Sequence, residues 1–212
     1  MRLVLASTSP SRRRILHMAG ISPHVADPAV DETAAVAAAG ITDAAAVVQL
    51  LATAKARAIA EHTAGDALVL GGDSAFVLDG EVLGKPHLPE VAVARWRAMR
   101  GRTGDLLTGH TLIEVLDGEV TRTRELVVGA SVTFAEVSDR EIDAYVATGE
   151  PLFVAGAFTL EGRAAAFITA VRGAPHAVVG LSVAALRRLA GELDVDWVDL
   201  VSANAVVNAI AD

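Results

Sequence analysis

Two serines and two arginines near the start of the chain have the types and spacing to bind phosphate oxygens. Ser7 and Ser9 precede Arg12 and Arg13 in the run Ser-Thr-Ser-Pro-Ser-Arg-Arg-Arg. A helix that begins after Ser9 offers unpaired backbone N–H groups, and guanidinium groups one turn later add charged donors. Successive helix positions lie about 100° apart, so at most two of the three arginines can face one ligand. An ordinary helix cap with a solvated basic face explains the same residues, and both interpretations stay open.

A carboxylate and a lysine further along the chain suggest a second chemical group. Asp73 follows an apolar run, where a sheet often opens into its ligand crevice, and a carboxylate there can hold Mg²⁺ or take a proton from water. A turn residue that bonds the local backbone is the alternative for Asp73. Lys85 is either a phosphate contact or half of a surface ion pair of little energetic value.

Two adjacent acids and another lysine form the third group. Asp31 and Glu32 follow Val30, and Lys55 comes about two dozen residues later. Neighbouring side chains point to opposite faces of an extended segment, so at most one of the two acids points into a given site. A solvated loop acid is the alternative for either.

The first group needs a strand that leads directly into a helix. Residues 3–6 are all apolar and predict a short buried strand. Ser9 suits the N-cap of the next helix and Pro10 its first position, because proline lacks the N–H that would go unpaired there. Ile15, Met18 and Ala19 predict the apolar stripe of this helix, which ends at Gly20.

The rest of the chain alternates strands and helices. A helix from Asp43 to about His62, capped by Thr42 or Asp43, carries Lys55, and a strand over 67–72 ends at Asp73. Further predicted elements are a hairpin around Asp79-Gly80, a helix from Pro89 to Gly101, a hairpin around Asp117-Gly118, a strand over 126–134, a helix with a Ser138/Glu141 capping box, strands over 158–160 and 164–171, and a helix over 183–190. This order predicts an α/β fold with a mixed sheet. No repeat or linker marks a boundary, so the prediction is one domain over residues 1–212.

Composition limits the classes of function. The 212 residues are 52% hydrophobic, as in a globular protein, and carry a net charge of −8, which argues against binding a nucleic-acid polymer. The absence of cysteine excludes thiolate metal sites, disulfides and a cysteine nucleophile. No apolar run reaches the 18 or so residues that a membrane span needs, so we expect a soluble cytoplasmic protein without a membrane partner. The P-loop, dinucleotide and zincin motifs are missing, and the six histidines lack the spacing of metal ligands.

The order of short motifs is more specific than any one of them. They stand at residues 5–10 with Arg12 and Arg13, and at 30–32, 55–56, 72–74, 84–86, 149–151, 155–158 and 179–181. In this order they closely resemble the Maf family of nucleotide pyrophosphatases. The resemblance extends from residue 3 to about residue 190.

The resemblance implies a fold, a reaction and a cofactor. The expected fold is an elongated mixed sheet flanked by helices, in two lobes with a cleft, similar to the inosine-triphosphate pyrophosphatases. Members of the family hydrolyse nucleoside triphosphates to the monophosphate and pyrophosphate with a divalent cation, here Mg²⁺ or Mn²⁺. They are linked to clearing modified nucleotides and to restraining cell division, and a homodimer is expected.

The resemblance also implies roles for individual residues. Asp73 would accept the proton of the attacking water, and Glu32 would hold the metal together with Asp73. The cations that bind and neutralise the triphosphate would be Arg12, Lys55 and Lys85, and Ser7 and Ser9 would line the phosphate loop, beside Arg13.

Three positions would govern the choice of nucleobase: Ser11, Ser74 and Glu161. They match neither the subfamily that acts on dTTP and UTP nor the one that acts on 7-methyl-GTP. Because a carboxylate only accepts hydrogen bonds, Glu161 favours a guanine-type edge with its N–H donors. The chain also departs from the family pattern at Gly104, Val154 and Ser182, and Val154 removes a lysine.

Three other functions remain open at this point. One is a nucleotide-binding regulator of cell division with vestigial catalysis, the second a specialised 7-methyl-GTP-type pyrophosphatase, and the third a phosphomonoesterase that releases orthophosphate. The presence of Glu32, Asp73 and Lys85 together favours catalysis, because binding alone would need the cations but not the base.

Overall fold

The computed structural model describes residues 1–205, which form an α/β fold. Within that range the strands are β1 (Arg2–Ala6), β2 (His24–Ala26), β3 (Ala67–Leu78), β4 (Glu81–Leu83), β5 (Thr103–Leu116), β6 (Glu119–Phe134) and β7 (Ile168–Gly173). The α-helices are α1 (Pro10–Met18), α2 (Glu32–Ala39), α3 (Ala44–Ala60), α4 (Pro89–Met99), α5 (Asp139–Val146), α6 (Val183–Gly191) and α7 (Trp197–Ala203). None of these helices is both long and apolar enough to span a bilayer.

The strands form one mixed sheet in the order β2-β1-β3-β5-β6-β7, and β4 pairs with β3. β1 is parallel to both of its neighbours, with Leu5 opposite Val25 of β2 and opposite Leu70 of β3. The β3–β4 and β6–β7 pairs are antiparallel. The predicted α/β class with a mixed sheet is therefore confirmed.

The chain divides into two compact units. Unit 1 comprises Met1–Asp73, Gly109–Val127 and the described residues from Gly180 onward, and unit 2 comprises Ser74–Thr108 and Val128–Val179. The predicted organisation as one domain of two lobes with a cleft stays a prediction.

Unit 1 has an aliphatic core. One of its buried clusters consists of Val4, Ala6, Ala56, Ala60, Ala67, Val69, Ile113 and Val115. Gly71 and Gly109 let α3 approach the sheet closely, because a Cβ at either position would collide with a backbone carbonyl of α3, that of Ala52 or of Val48. Close packing of α3 against β3 is what positions the site described below.

Unit 2 has an aromatic core. Phe76, Trp96, Phe134, Tyr145 and Phe158 are all buried. Their rings meet edge to face, with centroids 5.0 Å apart for Phe134 and Phe158 and 5.2 Å apart for Trp96 and Tyr145. Such pairs stabilise a core beyond the area that they bury.

Several local predictions are confirmed. Ser9 caps α1 with Pro10 in the first turn, and Asp43 caps α3. Asp79 and Gly80 both have positive φ, 52° and 84°, as a tight hairpin turn requires. The predicted capping box is present in α5, and the 89–99 and 183–191 helices follow their predictions closely.

Other local predictions are wrong. β3 does not end at residue 72 but continues through Asp73 to Leu78, because paired backbone on both sides of Asp73 carries the strand past the two glycines. Met18 is 72% exposed rather than part of the buried stripe of α1, which comprises Arg12, Ile15 and Leu16. The predicted strand at 158–160 is irregular, and the first part of the predicted 164–171 strand is a 3₁₀ turn, Arg163–Phe167.

Two helices were not predicted. α2 consists mostly of alanine and buries none of its residues, so its sequence has no apolar stripe to recognise. α7 begins at Asp196, which looks like one of several surface acids but accepts hydrogen bonds from the backbone N–H groups of Val198 and Asp199.

Candidate active site

The centre of the candidate site is an ion pair between α3 and β3 in unit 1. The Lys55 ammonium donates to Asp73 Oδ1 at 2.7 Å, and Lys55 is buried. Gly71 and Asp73 lie two residues apart on β3 and therefore point to the same face of the sheet. Since the Gly71 face contacts α3, the Asp73 carboxylate is directed at that helix. Because Gly71 has no side chain, α3 can approach β3 closely enough for Lys55 to contact the Asp73 carboxylate.

Glu32 joins this pair from the start of α2. Its Oε1 lies 2.6 Å from Lys55 Nζ, and its side chain is 53% exposed. Asp31 instead caps α2 by accepting the Ala34 backbone N–H at 2.9 Å. Of the two adjacent acids, Glu32 is therefore the one that reaches the candidate site.

Arg12 is a buried guanidinium with a fixed orientation. Its Nε donates to the Gly180 carbonyl at 2.8 Å, and its Nη1 donates to Ser7 Oγ at 3.1 Å. Ser7 Oγ also accepts the Ser9 backbone N–H at 3.2 Å, and Ser9 Oγ caps α1. Both serines therefore have structural contacts in this fold, and their predicted contacts with substrate stay predictions.

The electrostatics of the site favour proton transfer. Burial raises the pKa of Asp73 above its ordinary value, while the nearby charges of Lys55 and Arg12 oppose that shift. Burial lowers the pKa of Arg12, and Asp73 and Glu32 oppose that change. A carboxylate with a raised pKa is a stronger base, and a general base is most effective when its pKa is close to the working pH. These two acids and two cations together carry no net charge.

The other predicted residues lie elsewhere in unit 1 or in unit 2. Ser11 is half-buried and Arg13 is exposed on α1. In unit 2, Lys85 is exposed between β4 and α4, and Glu161 is exposed in a turn. Ser74, also in unit 2, lies with its Oγ 2.9 Å from Thr108 Oγ1. The structure therefore brings together Arg12, Glu32, Lys55 and Asp73, and the roles of the remaining residues stay predictions.

The two acids of the site could hold a metal ion whose remaining ligands come from substrate and water. Glu32 and Asp73 place one carboxylate oxygen each against the same cationic atom, Lys55 Nζ. Among residues 1–205 no group of three or more acidic, histidine or cysteine side chains forms a metal cage. Mg²⁺ is typically held by one or two carboxylates and completes its shell with phosphate oxygens and water. The donor set therefore suits Mg²⁺ or the chemically similar Mn²⁺.

Some residues that shape the site were not singled out from the sequence. Gly71 and Gly109 admit α3, and His110 accepts a hydrogen bond from the segment whose Gly180 carbonyl accepts from Arg12. The only sequence signal for Gly71 is its place at the end of an apolar run, which is typical of close backbone approach, and Gly109, between Thr108 and His110, lacks even that signal. His110 is a polar residue in a buried strand, which is a weak signal by itself.

The chain is similar to proteins of known family. A family model described as Maf-like protein matches residues 2–193. A nucleoside triphosphate pyrophosphatase of Leifsonia xyli is 52% identical over 207 residues, which cover 94% of this chain and 96% of the relative. A protein of the same name from Corynebacterium jeikeium is 50% identical, with 94% of this chain and 99% of the relative covered. Another from Thermosynechococcus vestitus is 50% identical over 88% of this chain and 90% of the relative.

Proposed function

The chain belongs to the Maf-like protein family, and on that premise we propose that it is a nucleoside triphosphate pyrophosphatase. It hydrolyses the anhydride between the α- and β-phosphates and releases a nucleoside monophosphate and pyrophosphate. The observation that carries the proposal is Asp73, a carboxylate with a raised pKa beside two fixed cations. Relatives that are about half identical to this chain are named nucleoside triphosphate pyrophosphatase.

Asp73 is the general base in the proposed reaction. Its carboxylate takes one proton from water while the water oxygen bonds to phosphorus, and the bridging P–O bond breaks. Pyrophosphate leaves with the electron pair of that bond. Lys55 holds the base in its ionised form by donating to Oδ1, so the base is ready before substrate arrives.

Arg12 supplies a fixed positive charge. Its hydrogen bonds to Gly180 and Ser7 set the plane of the guanidinium, so little reorganisation is needed when charge develops on phosphate oxygens. A positioned donor of this kind stabilises the transition state more than a mobile one.

We also propose that Glu32 and Asp73 hold a divalent cation, Mg²⁺ or Mn²⁺. The four charged groups of the site sum to zero, whereas a triphosphate carries several negative charges, so further positive charge is needed. When bound, the cation supplies that charge and polarises phosphoryl oxygen. Lys85 as a phosphate contact, Glu161 as a guanine-type base contact, the homodimer and the cytoplasmic location stay predictions.

The test of the reaction is hydrolysis of a panel of standard and modified nucleoside triphosphates, including 7-methyl-GTP, with pyrophosphate and orthophosphate scored separately. We expect pyrophosphate from the wild type and a loss of kcat between about 100- and 10,000-fold in Asp73→Asn. Asp143→Asn, an exposed acid on α5 in unit 2, is the matched control and should retain full activity. Orthophosphate as the first product would favour a phosphomonoesterase. Nucleotide binding without turnover would favour the regulator, and equal rates on all bases would contradict the role of Glu161.

The metal is tested by removing it with EDTA and adding back Mg²⁺ or Mn²⁺. Activity should disappear and return, and Glu32→Gln should raise the half-saturating metal concentration about tenfold or more, since even indirect contacts to a metal change affinity by about that factor. Glu61→Gln, an exposed acid at the end of α3, should leave it unchanged. Full activity in EDTA would overturn the metal proposal without affecting the role of Asp73.

A further inference from the structure

A fully buried histidine contacts the segment that orients the arginine of the site. His110 on β5 is 0% exposed, and its Nε2 accepts the Ser182 backbone N–H at 2.9 Å. A ring nitrogen can accept only when it carries no proton, so Nε2 of His110 is unprotonated in this contact. The histidine is thus a fixed acceptor for one backbone group of unit 1.

The backbone that His110 holds also holds Arg12. Ser182 caps α6, and two residues earlier the Gly180 carbonyl accepts from Arg12 Nε at 2.8 Å. Gly180 has φ of +106°, a conformation that other residues rarely adopt. The segment 180–182 therefore bonds to His110 through Ser182 at one end and orients the Arg12 guanidinium through Gly180 at the other.

The hydrogen bond that the Ser182 N–H donates to His110 constrains the position of the Gly180 carbonyl. Ser182 provides an N–H, and burying that N–H without an acceptor raises the free energy of the folded protein. Without His110, the segment would lower that energy by shifting, and Gly180 would shift with it. A displacement of about 1 Å in a group that contacts the transition state can reduce the rate about 100-fold.

We propose that His110 is a positioning residue for the reaction, which acts on phosphate through the segment 180–182 and Arg12. This inference rests on the proposed function, because it assigns His110 to the same hydrolysis. His110 does not touch substrate in this account, and its effect passes entirely through the orientation of the guanidinium.

The test compares variants of His110 in the pyrophosphate assay. His110→Leu keeps an apolar volume but removes the acceptor, and we expect kcat/KM to fall about 10- to 100-fold. His110→Gln offers an amide oxygen to the same N–H and should recover most of that loss. Thermal unfolding is measured for each variant, so that loss of folded protein is separated from loss of rate.

Asn204→Leu is the matched control for a lost buried acceptor. Asn204 is 6% exposed in unit 1 and its Oδ1 accepts the Leu3 backbone N–H at 2.6 Å. We expect this variant to lose thermal stability as His110→Leu does, while the surviving enzyme keeps kcat/KM within about twofold.

A double-mutant cycle with Arg12→Lys tests the route of the effect. Lysine keeps the positive charge but lacks the planar guanidinium, so the Gly180 carbonyl no longer orients the charged group. If His110 acts through Arg12, adding His110→Leu to Arg12→Lys should lower kcat/KM by less than about twofold further. Equal losses from His110→Leu in both backgrounds would overturn the proposal, as would wild-type kcat/KM in His110→Leu.

Two outcomes separate this inference from the proposed function. Absence of pyrophosphate release by the wild type would refute the function itself, whereas release by the wild type with an unaffected His110→Leu refutes only the positioning role. If His110→Leu does not fold, Gly180→Ala disturbs the same segment from its other end and should give the same non-additive loss with Arg12→Lys. Full activity in Gly180→Ala would contradict the proposal.

Discussion

The two units of this protein have opposite interiors. Among the described residues, all but one of the buried polar or charged side chains belong to unit 1, and Thr108 is the exception. The core of unit 2 contains large aromatic rings, whereas the aliphatic cluster of unit 1 consists of alanine, valine and isoleucine. Ring packing therefore stabilises unit 2, whereas unit 1 buries the charged groups of the candidate site.

Burial of charge in unit 1 is tolerated because each buried charge has partners. Arg12 donates to a carbonyl and a hydroxyl, Lys55 contacts two carboxylates, and Glu114 accepts from Arg122 and Thr121. A buried charge that loses its partner destabilises a protein strongly, so these contacts constrain one another. We therefore expect substitutions of these buried charges in unit 1 to alter activity or pH dependence, and substitutions in the aromatic core of unit 2 to alter stability alone.

The largest effect is expected in the aromatic core. Phe134→Ala should lower the free energy of unfolding by about 3–5 kcal/mol, because it leaves a cavity beside the rings of Phe76, Trp96 and Phe158. Urea denaturation measures the change. Phe153→Ala in the same unit, where the ring is 68% exposed, should change it by less than about 0.5 kcal/mol. A Phe134→Ala protein that stays stable would break the contrast between the units.

The corresponding change in unit 1 should affect activity first. Lys55→Met removes the ammonium that contacts Glu32 and Asp73, and kcat/KM should fall about 100-fold, as when other positioned charges are lost. The loss of stability should be smaller than in Phe134→Ala, because Glu32 is partly exposed and can be hydrated, and Asp73 keeps the nearby charge of Arg12. Arg57→Met, an exposed change on the same helix, should be neutral. Unfolding of Lys55→Met with normal activity per folded molecule would reverse the assignment of roles.

The pH dependence of stability should come from a buried acid in unit 1. Hydrogen bonds from Arg122 lower the pKa of Glu114 below its ordinary value of 4.5. The folded state therefore binds fewer protons than the unfolded state, so this stabilisation is complete above about pH 4.5 and is lost as pH falls through the lowered pKa. Glu114→Gln should lower the free energy of unfolding by about 2 kcal/mol at pH 7 and flatten its decline below pH 5.

Glu119→Gln is the control for that measurement, because Glu119 is exposed on β6. Its unfolding free energy, followed by urea denaturation between pH 3 and 7, should match the wild type. A Glu114→Gln protein with the same pH dependence as the wild type would show that the ion pair with Arg122 does not control acid stability.

Signals within a few residues of each other could be recognised in the sequence, and long-range contacts could not. Ser138 and Glu141, or Asp79 and Gly80, determine a cap or a turn by themselves. The pairing of Lys55 with Asp73 depends on how closely α3 approaches β3, which Gly71 decides through packing rather than pattern. The same holds for His110, whose acceptor role requires Ser182 from a distant part of the chain.

The motif order predicted which residues belong to one site, but not their contacts. Glu32 and Asp73 were expected around a metal, and the structure adds that both meet Lys55. Ser7 was expected at phosphate, and the structure adds that its oxygen orients Arg12. These details depend on side chains converging from four separate segments, and no local pattern records such convergence.

The smallest effects come from two helix caps of the same chemistry, one in each unit. Ser9 Oγ accepts the Arg12 backbone N–H at 3.5 Å in unit 1, and Ser138 Oγ accepts that of Glu141 at 3.4 Å in unit 2. Ser9→Ala and Ser138→Ala should each lower the free energy of unfolding by about 1 kcal/mol. Only Ser9→Ala should also lower kcat/KM, by about tenfold, the value of one hydrogen bond of about 1.5 kcal/mol to a charged phosphate. Because both hydroxyls accept the backbone N–H three residues later, unequal losses of activity at equal losses of stability would identify Ser9 as a substrate contact, and equal activities would leave it as a cap alone.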